Sequence, residues 1–396
     1  MRKKDAETAL PPKKTNLFLR VLIFLLTVAL VIGAIVLVVN RDKLNFDSLK
    51  RWFTYRSLAQ SDTTGGGEPF AYQGGNSLSL AALDGDLLAV SENGVRLYSP
   101  GGTAYIEDTV VLNHPTCQVS GGYAVAYDSG GSFLRVYHKR EQVFSLEDST
   151  ATILSARVNS SGYLTVIVRS SGYKGQVLVY DASYDLRLKL SLSSVFALDG
   201  VVTPDNRSVA IVTAGQNQQF FSASVALYSL TDLDEEAPAP ETVLDLGSQL
   251  PLDILWDSSG LRIMTEHAAV SAGSDLVQSG TADWSDRYLK EFSLLGDDGY
   301  VILTSKYRAV SQTKLEVLNR AGVVLAQAEE NRPILSLSAA GRYIAVLTAG
   351  ELTIYTHDLT VYSTTENTQG ASRVVLLPDG SAYLASGDTA WLYLPG

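Results

Sequence analysis

Four histidines, one cysteine and a set of turn aspartates are the side chains in this sequence with catalytic chemistry to offer. His114, His138, His267 and His357 show no His-x-His or His-Glu-x-x-His spacing, so the local sequence supports no metal centre. Cys117 stands alone and cannot form an intrachain disulfide; it reads as a small core residue, compatible with export or with the cytosol. A serine hydrolase would need a Gly-x-Ser-x-Gly elbow, and none occurs. Sialidase-type Ser-x-Asp-x-Gly repeats are missing, and Asp128-Ser129-Gly130-Gly131 reads only as a turn. The tryptophan docking motifs of quinone-dependent dehydrogenases are absent too, as is a phosphate-cradling glycine loop between strand and helix.

Carboxylates are the remaining option, because a glycosidase needs only two, roughly 5–10 Å apart. Asp84, Asp205, Asp257, Asp297, Asp298 and Asp379 are the candidates. Each occupies a turn, where aspartate is expected for backbone reasons. The run Asp232 to Glu241 is acidic and proline-rich. It reads as a solvated hairpin loop, without the alternating aspartates of a calcium loop. No catalytic, metal or cofactor residue is therefore assigned, no cofactor is expected, and ligand-binding residues stay unassigned.

The turns that carry these aspartates are the key to the fold. Asp84-Gly85, Gly121-Gly122, Ser161-Gly162, Asp205-Asn206, Ser259-Gly260, Asp298-Gly299, Ala340-Gly341 and Asp379-Gly380 are spaced 37, 40, 44, 54, 39, 42 and 39 residues apart. An apolar strand follows each one. A third strand gives a second register, ending at Tyr98, Tyr137, Tyr180, Tyr228, Leu318, Tyr355 and Tyr393. The gap of 90 residues between Tyr228 and Leu318 is about two periods, so one unit, at His267–Gly280, has lost the motif. Four short strands every 42 residues or so predict an all-β β-propeller over residues 68–396. Eight blades are expected, or seven if the degenerate fifth unit is an insertion. The sequence stops after a third strand, so Glu68–Gln73 is expected to supply the fourth strand of the last blade and seal the ring.

Ahead of the propeller, residues 17–39 contain nineteen consecutive uncharged positions from Val21, with no polar face and no small-x-small cleavage site after them. At about 1.5 Å per residue such a helix crosses a ~30 Å hydrocarbon core, which predicts one uncleaved transmembrane signal-anchor. Residues 1–16 form a basic tail. Residues 40–59 read as a juxtamembrane amphipathic segment, with Phe46, Leu49, Trp52 and Phe53 at helical spacing among Lys50, Arg51 and Arg56, and 60–67 as a flexible linker. Six basic residues precede or begin the helix and five follow, so the positive-inside count is nearly even. The short polar tail favours a cytoplasmic N-terminus and a propeller outside the plasma membrane. Of the chain's 31 basic and 42 acidic residues, eleven and four lie in 1–56, leaving 20 and 38 in 57–396. A body that acidic repels phosphate backbones and disfavours nucleic acid.

Val179-Tyr180-Asp181 places a tyrosine-Asp pair where WD repeats carry Trp-Asp, so the repeats resemble WD-repeat-like or YVTN-like propellers, without the Gly-His element. The whole arrangement also resembles an uncharacterised Gram-positive bacterial family of membrane-anchored β-propeller proteins, a domain of unknown function. That resemblance implies location and fold, and it carries no active site across. The expected function is anchored binding or scaffolding in the cell envelope, with membrane lipid held by the helix and a protein or cell-wall polymer as partner. An envelope glycan hydrolase or lyase and a ligand sensor working through a membrane partner are the alternatives. A binding propeller is expected to expose an apolar or aromatic patch on one face.

Overall fold

The computed structural model describes residues 17–39, 46–61, 65–75, 77–146, 151–217, 220–231, 238–297, 299–309 and 312–396. The basic tail, Asp298 and residues 232–237 of the acidic run lie outside the described residues. Two compact units are present, divided between Thr54 and Tyr55.

In the first unit, α1 (Leu17–Val39) is helical over the full 23 residues expected of the anchor. Its side chains are described for 20–28 and 30–32. Among the described residues no helix is long and apolar enough to cross a membrane. The helix α2 (Phe46–Tyr55) begins with Asp47 in its first turn, where a negative charge suits the helix dipole. Its exposure is the reverse of a water-soluble helix. Phe46, Leu49, Trp52 and Phe53 are exposed, whereas Arg51 is 4% exposed.

The second unit is an eight-bladed all-β propeller, with four antiparallel strands in each of the first seven blades and six strands in the sheet of the last. Blade one shows the plan: Leu78–Leu83, Asp86–Ser91, Gly94–Tyr98 and Ala104–Thr109 pair in sequence order. The tight first turn, with Asp84 at φ 52° and Gly85 at φ 88°, demands residues that tolerate the left-handed region. In blade one the second strand is buried on both sides and the fourth alternates, as a rim strand facing water should. Apolar clusters bridge neighbouring blades. Leu88, Val90 and Leu97 of blade one pack with Ala124, Ala126 and Tyr137 of blade two. The third-strand tyrosines Tyr98, Tyr137, Tyr228 and Tyr393 are buried in such seams.

Blade five is complete, which settles eight blades over seven. Its third strand, Ala268–Ala272, carries only small side chains and a valine in place of the tyrosine motif. Tyr300 reaches in from blade six to bond Ser271 at 2.6 Å, and the fully buried Trp284 packs beside it.

The ring closes at blade eight, where the N-terminal segment lies along the third strand Thr389–Tyr393. Phe70 pairs with Ala390 and Ala71 with Thr389, inside the expected Glu68–Gln73. Pairing begins earlier than expected, however. Gly66–Gly67 and Gln60–Ser61 are also strands, and Gly66 pairs with Tyr393. Gly66 and Gly67 are buried there, and glycine is required at 66 because a side chain would overlap the Leu392 carbonyl. Gly66–Gly67 are thus part of the sheet, and the propeller unit starts at Tyr55, which is buried with Tyr98 and Tyr383.

Candidate functional site

Antiparallel blades give the propeller two chemically distinct faces. First-to-second and third-to-fourth turns lie on one, the turn face. Second-to-third turns and the links between blades lie on the other, the link face. The chain enters on the turn face, where Leu58 packs near Pro100 and Gly101 in a third-to-fourth turn.

The exposed aromatics segregate by face. Tyr173, Phe196, Phe220, Phe221, Tyr288 and Tyr307 all stand at second-to-third turns or at the starts of first strands, which is the link face. Leu250, Leu252 and Leu335 extend the set, so it forms an arc over blades three to seven. On the turn face, among the described residues, Val277, Leu295 and Val323 in the turns and Leu186, Leu325 and Val361 at the starts of fourth strands are comparably exposed, and the one exposed ring there, Tyr105, is stacked by the Arg140 guanidinium. Two of the arc's rings carry cations: Lys174 lies over Phe196 and Lys306 over Tyr307.

Around the central channel, the eight first strands expose edges whose amides need partners. Side chains of the preceding blade supply several. Ser79 accepts from Cys117 N (3.2 Å), Gln118 from Val158 N (2.8 Å), Glu291 from Leu337 N (2.9 Å) and Ser336 from Val374 N (3.2 Å). Blades four and five cap themselves, Asp199 accepting from Gly200 N and Asp253 from Ile254 N. Arg157 of blade three donates to both carboxylates, at 2.7 and 2.5 Å, and so ties three blades together.

A β-bulge recurs in the first strands of blades three to seven. It re-aims one residue per blade: Leu154, Leu198, Leu252, Lys290 and Leu335. The residue after it is Ser155, Asp199, Asp253, Glu291 or Ser336, the polar belt just described. Blade six alone places a charge at the bulge.

That lysine lies in an open cleft of about 540 Å³. First strands pack side by side around the ring, and those of blades five and six, Pro251–Asp257 and Tyr288–Ser293, are the least closely packed neighbours. Leu252 forms one wall and residues 288–292 the floor, while Glu266 and His267 of blade five and Arg308 of blade six close the rim. Lys290 Nζ donates to the Arg308 carbonyl at 2.6 Å, which fixes the amine at the rim. The His267 Nδ1 is buried without a hydrogen-bond partner. Burial pushes the Glu291 carboxyl above the ordinary carboxylate range, against the opposing pull of the Leu337 amide and Arg373.

The described aspartates among those singled out in the sequence, Asp84, Asp205, Asp257, Asp297 and Asp379, are spread around the turn face, away from this cleft. Asp205 accepts from the Thr203 hydroxyl at 2.6 Å, which helps hold it below the usual carboxylate range. Asp257 is paired with Arg262 and Arg320, and Asp379 accepts from Ser381. Asp84 sits in its turn, and the Asp297 amide bonds the Gly341 carbonyl. Of the histidines, only His267 reaches the cleft. His138 stacks on Tyr123, and the His114 amide bonds Asp128. Among the described residues no group of three or more metal-ligating side chains assembles. Cys117 is half-buried beside Ser79, and burial pushes its thiol up to about 11.

Residues 70–245 match a family described as a family of unknown function, DUF5711, a span from the closing strand into the last strand of blade four. No curated protein matches the sequence. Among solved structures, the C-terminal WD40 domain of Sif2 is similar with a TM-score of 0.56 and 14% identity, over 81% of this chain and 99% of that one. A eukaryotic initiation factor structure gives 0.51 and 12%, over 80% and 83%. A quinohemoprotein alcohol dehydrogenase from Pseudomonas putida HK5 gives 0.50 and 9%, over 81% and 72%. At these identities the likeness is one of fold.

Proposed function

We propose that this chain is a membrane-anchored binding module of the cell envelope. In this reading α1 crosses the plasma membrane once, with the N-terminus in the cytoplasm and the propeller outside. The link face then meets a protein or wall-polymer partner. The observation that carries the reading is the collection of six exposed aromatics on one face, opposite the face where the chain enters. A water-facing monomer rarely concentrates large apolar side chains this way. Tyrosine and phenylalanine beside cations are also the composition of contact surfaces. The first-strand carboxylates support binding over glycan hydrolysis, since Asp199 and Asp253 are engaged by Arg157 and Glu291 by a backbone amide.

A photoreactive amino acid placed at Phe220 or Tyr307 in the native host tests this. Both sites are expected to give one shared discrete adduct, and a probe at Leu295 or Val277 on the turn face none. Equal labelling of the two faces, or no adduct from the link face, refutes the reading.

A further inference from the structure

We propose that the cleft between blades five and six binds a short peptide segment through a carboxylate, resting on the reading of the link face as the binding face. Four features converge there. The bulge that presents leucine in four blades presents Lys290 in this one, so the charge is specific to the cleft. Arg308 adds a second cation, and the two are coupled through the Lys290–Arg308 carbonyl bond. His267 contributes a buried Nδ1 with no partner. Finally, Asp199 and Asp253 cap the amide that follows them, but Glu291 is turned forward onto Leu337 of blade seven. Among the described residues no side chain caps the equivalent amide of blade six, that of Phe292, which lines the cleft.

Two cations and a strand-edge amide make a carboxylate receptor in a chain whose body is otherwise strongly acidic. An extended peptide suits the remainder. A strand edge offers main-chain pairing, Leu252 and Tyr288 offer apolar contact, and Glu266 at the rim accepts peptide N–H groups or an amine. A volume of about 540 Å³ falls within the range of ~300–1,000 Å³ usual for ligand sites.

The test uses the full-length protein in lipid nanodiscs and a phage library of random heptapeptides. Enriched peptides are expected to carry Asp or Glu beside a large apolar residue. Their synthetic versions should lose about tenfold in affinity on Lys290→Gln and on Arg308→Gln, the worth of one charge-assisted hydrogen bond. Tyr105→Ala on the outer rim should change nothing, and a matched thermal midpoint checks that each variant is folded. Enrichment of non-acidic peptides, or equal binding by Lys290→Gln, overturns the proposal. So does binding of an oligo-glucuronate probe at this cleft without any peptide, which would make the ligand an acidic glycan. If no peptide is enriched while the link-face photoadduct persists, the cleft proposal fails and the binding-face reading stands.

Discussion

Glu291 does two jobs at once: it holds the Leu337 amide of the next blade and it lies beside the cleft. Because burial raises its folded-state affinity for a proton, ionisation costs stability. That cost is present above the folded value and vanishes as the pH falls below the ordinary carboxylate value of about 4. Glu291→Gln keeps an acceptor oxygen for Leu337 and removes the charge. It is therefore expected to melt above the parent at pH 7, with the difference shrinking toward pH 4 in a thermal series. A variant that melts below the parent at pH 7 contradicts this sign. At this scale the sequence revealed least. Lys290 is unremarkable in Tyr288–Phe292 until it is set against Leu154, Leu198, Leu252 and Leu335, and that alignment depends on a bulge that adds a residue without changing hydrophobic type. A Leu-Ser or Leu-Asp pair in four first strands, replaced by Lys290-Glu291 in one, was the available signal.

Elements were far more legible, and the exceptions have physical causes. The Gly- or Asn-containing turns mark the first hairpins because each tight reversal needs a residue that tolerates positive φ, as Gly85, Gly121, Gly162, Asn206, Gly260, Gly341 and Gly380 do. The third strand of blade five escaped detection because the volume of its missing tyrosine comes from Tyr300 and Trp284, which belong to other segments. The glycines of 65–67 suggest flexibility, yet Gly66 and Gly67 are buried because the closing strand must approach Leu392 and Tyr393 closely. Gly66→Ala forces that approach apart. It should cost about 1–3 kcal/mol, the range of other overpacked sites, read as a lower urea midpoint at unchanged slope. For α2, the exposed apolar stripe is an expectation about lipid. Trp52 is 62% exposed while Trp256, Trp284 and Trp391 are at most 8% exposed. In proteoliposomes containing brominated phospholipid, part of the tryptophan emission should be quenched, and Trp52→Phe should abolish that part. Quenching that survives the substitution would place the contact elsewhere.

At the scale of the molecule, the reading depends on which side of the membrane the propeller occupies. With an epitope tag after Gly396, protease added to intact protoplasts is expected to remove the tag. A tag protected until lysis would put the aromatic face in the cytosol and move the partner search there. The ring also has a built-in weak point. Blade eight is finished by a strand more than 300 residues away in sequence, held by a handful of pairs such as Phe70 with Ala390. Release of that strand leaves every other blade intact while creating two complementary edges, one on Thr389–Tyr393 and one on the freed segment. A second copy nearby can fill both, each chain lending its clasp to the other's last blade. If α1 anchors the chain as proposed, confinement to a membrane plane raises the local concentration that favours such strand exchange between copies.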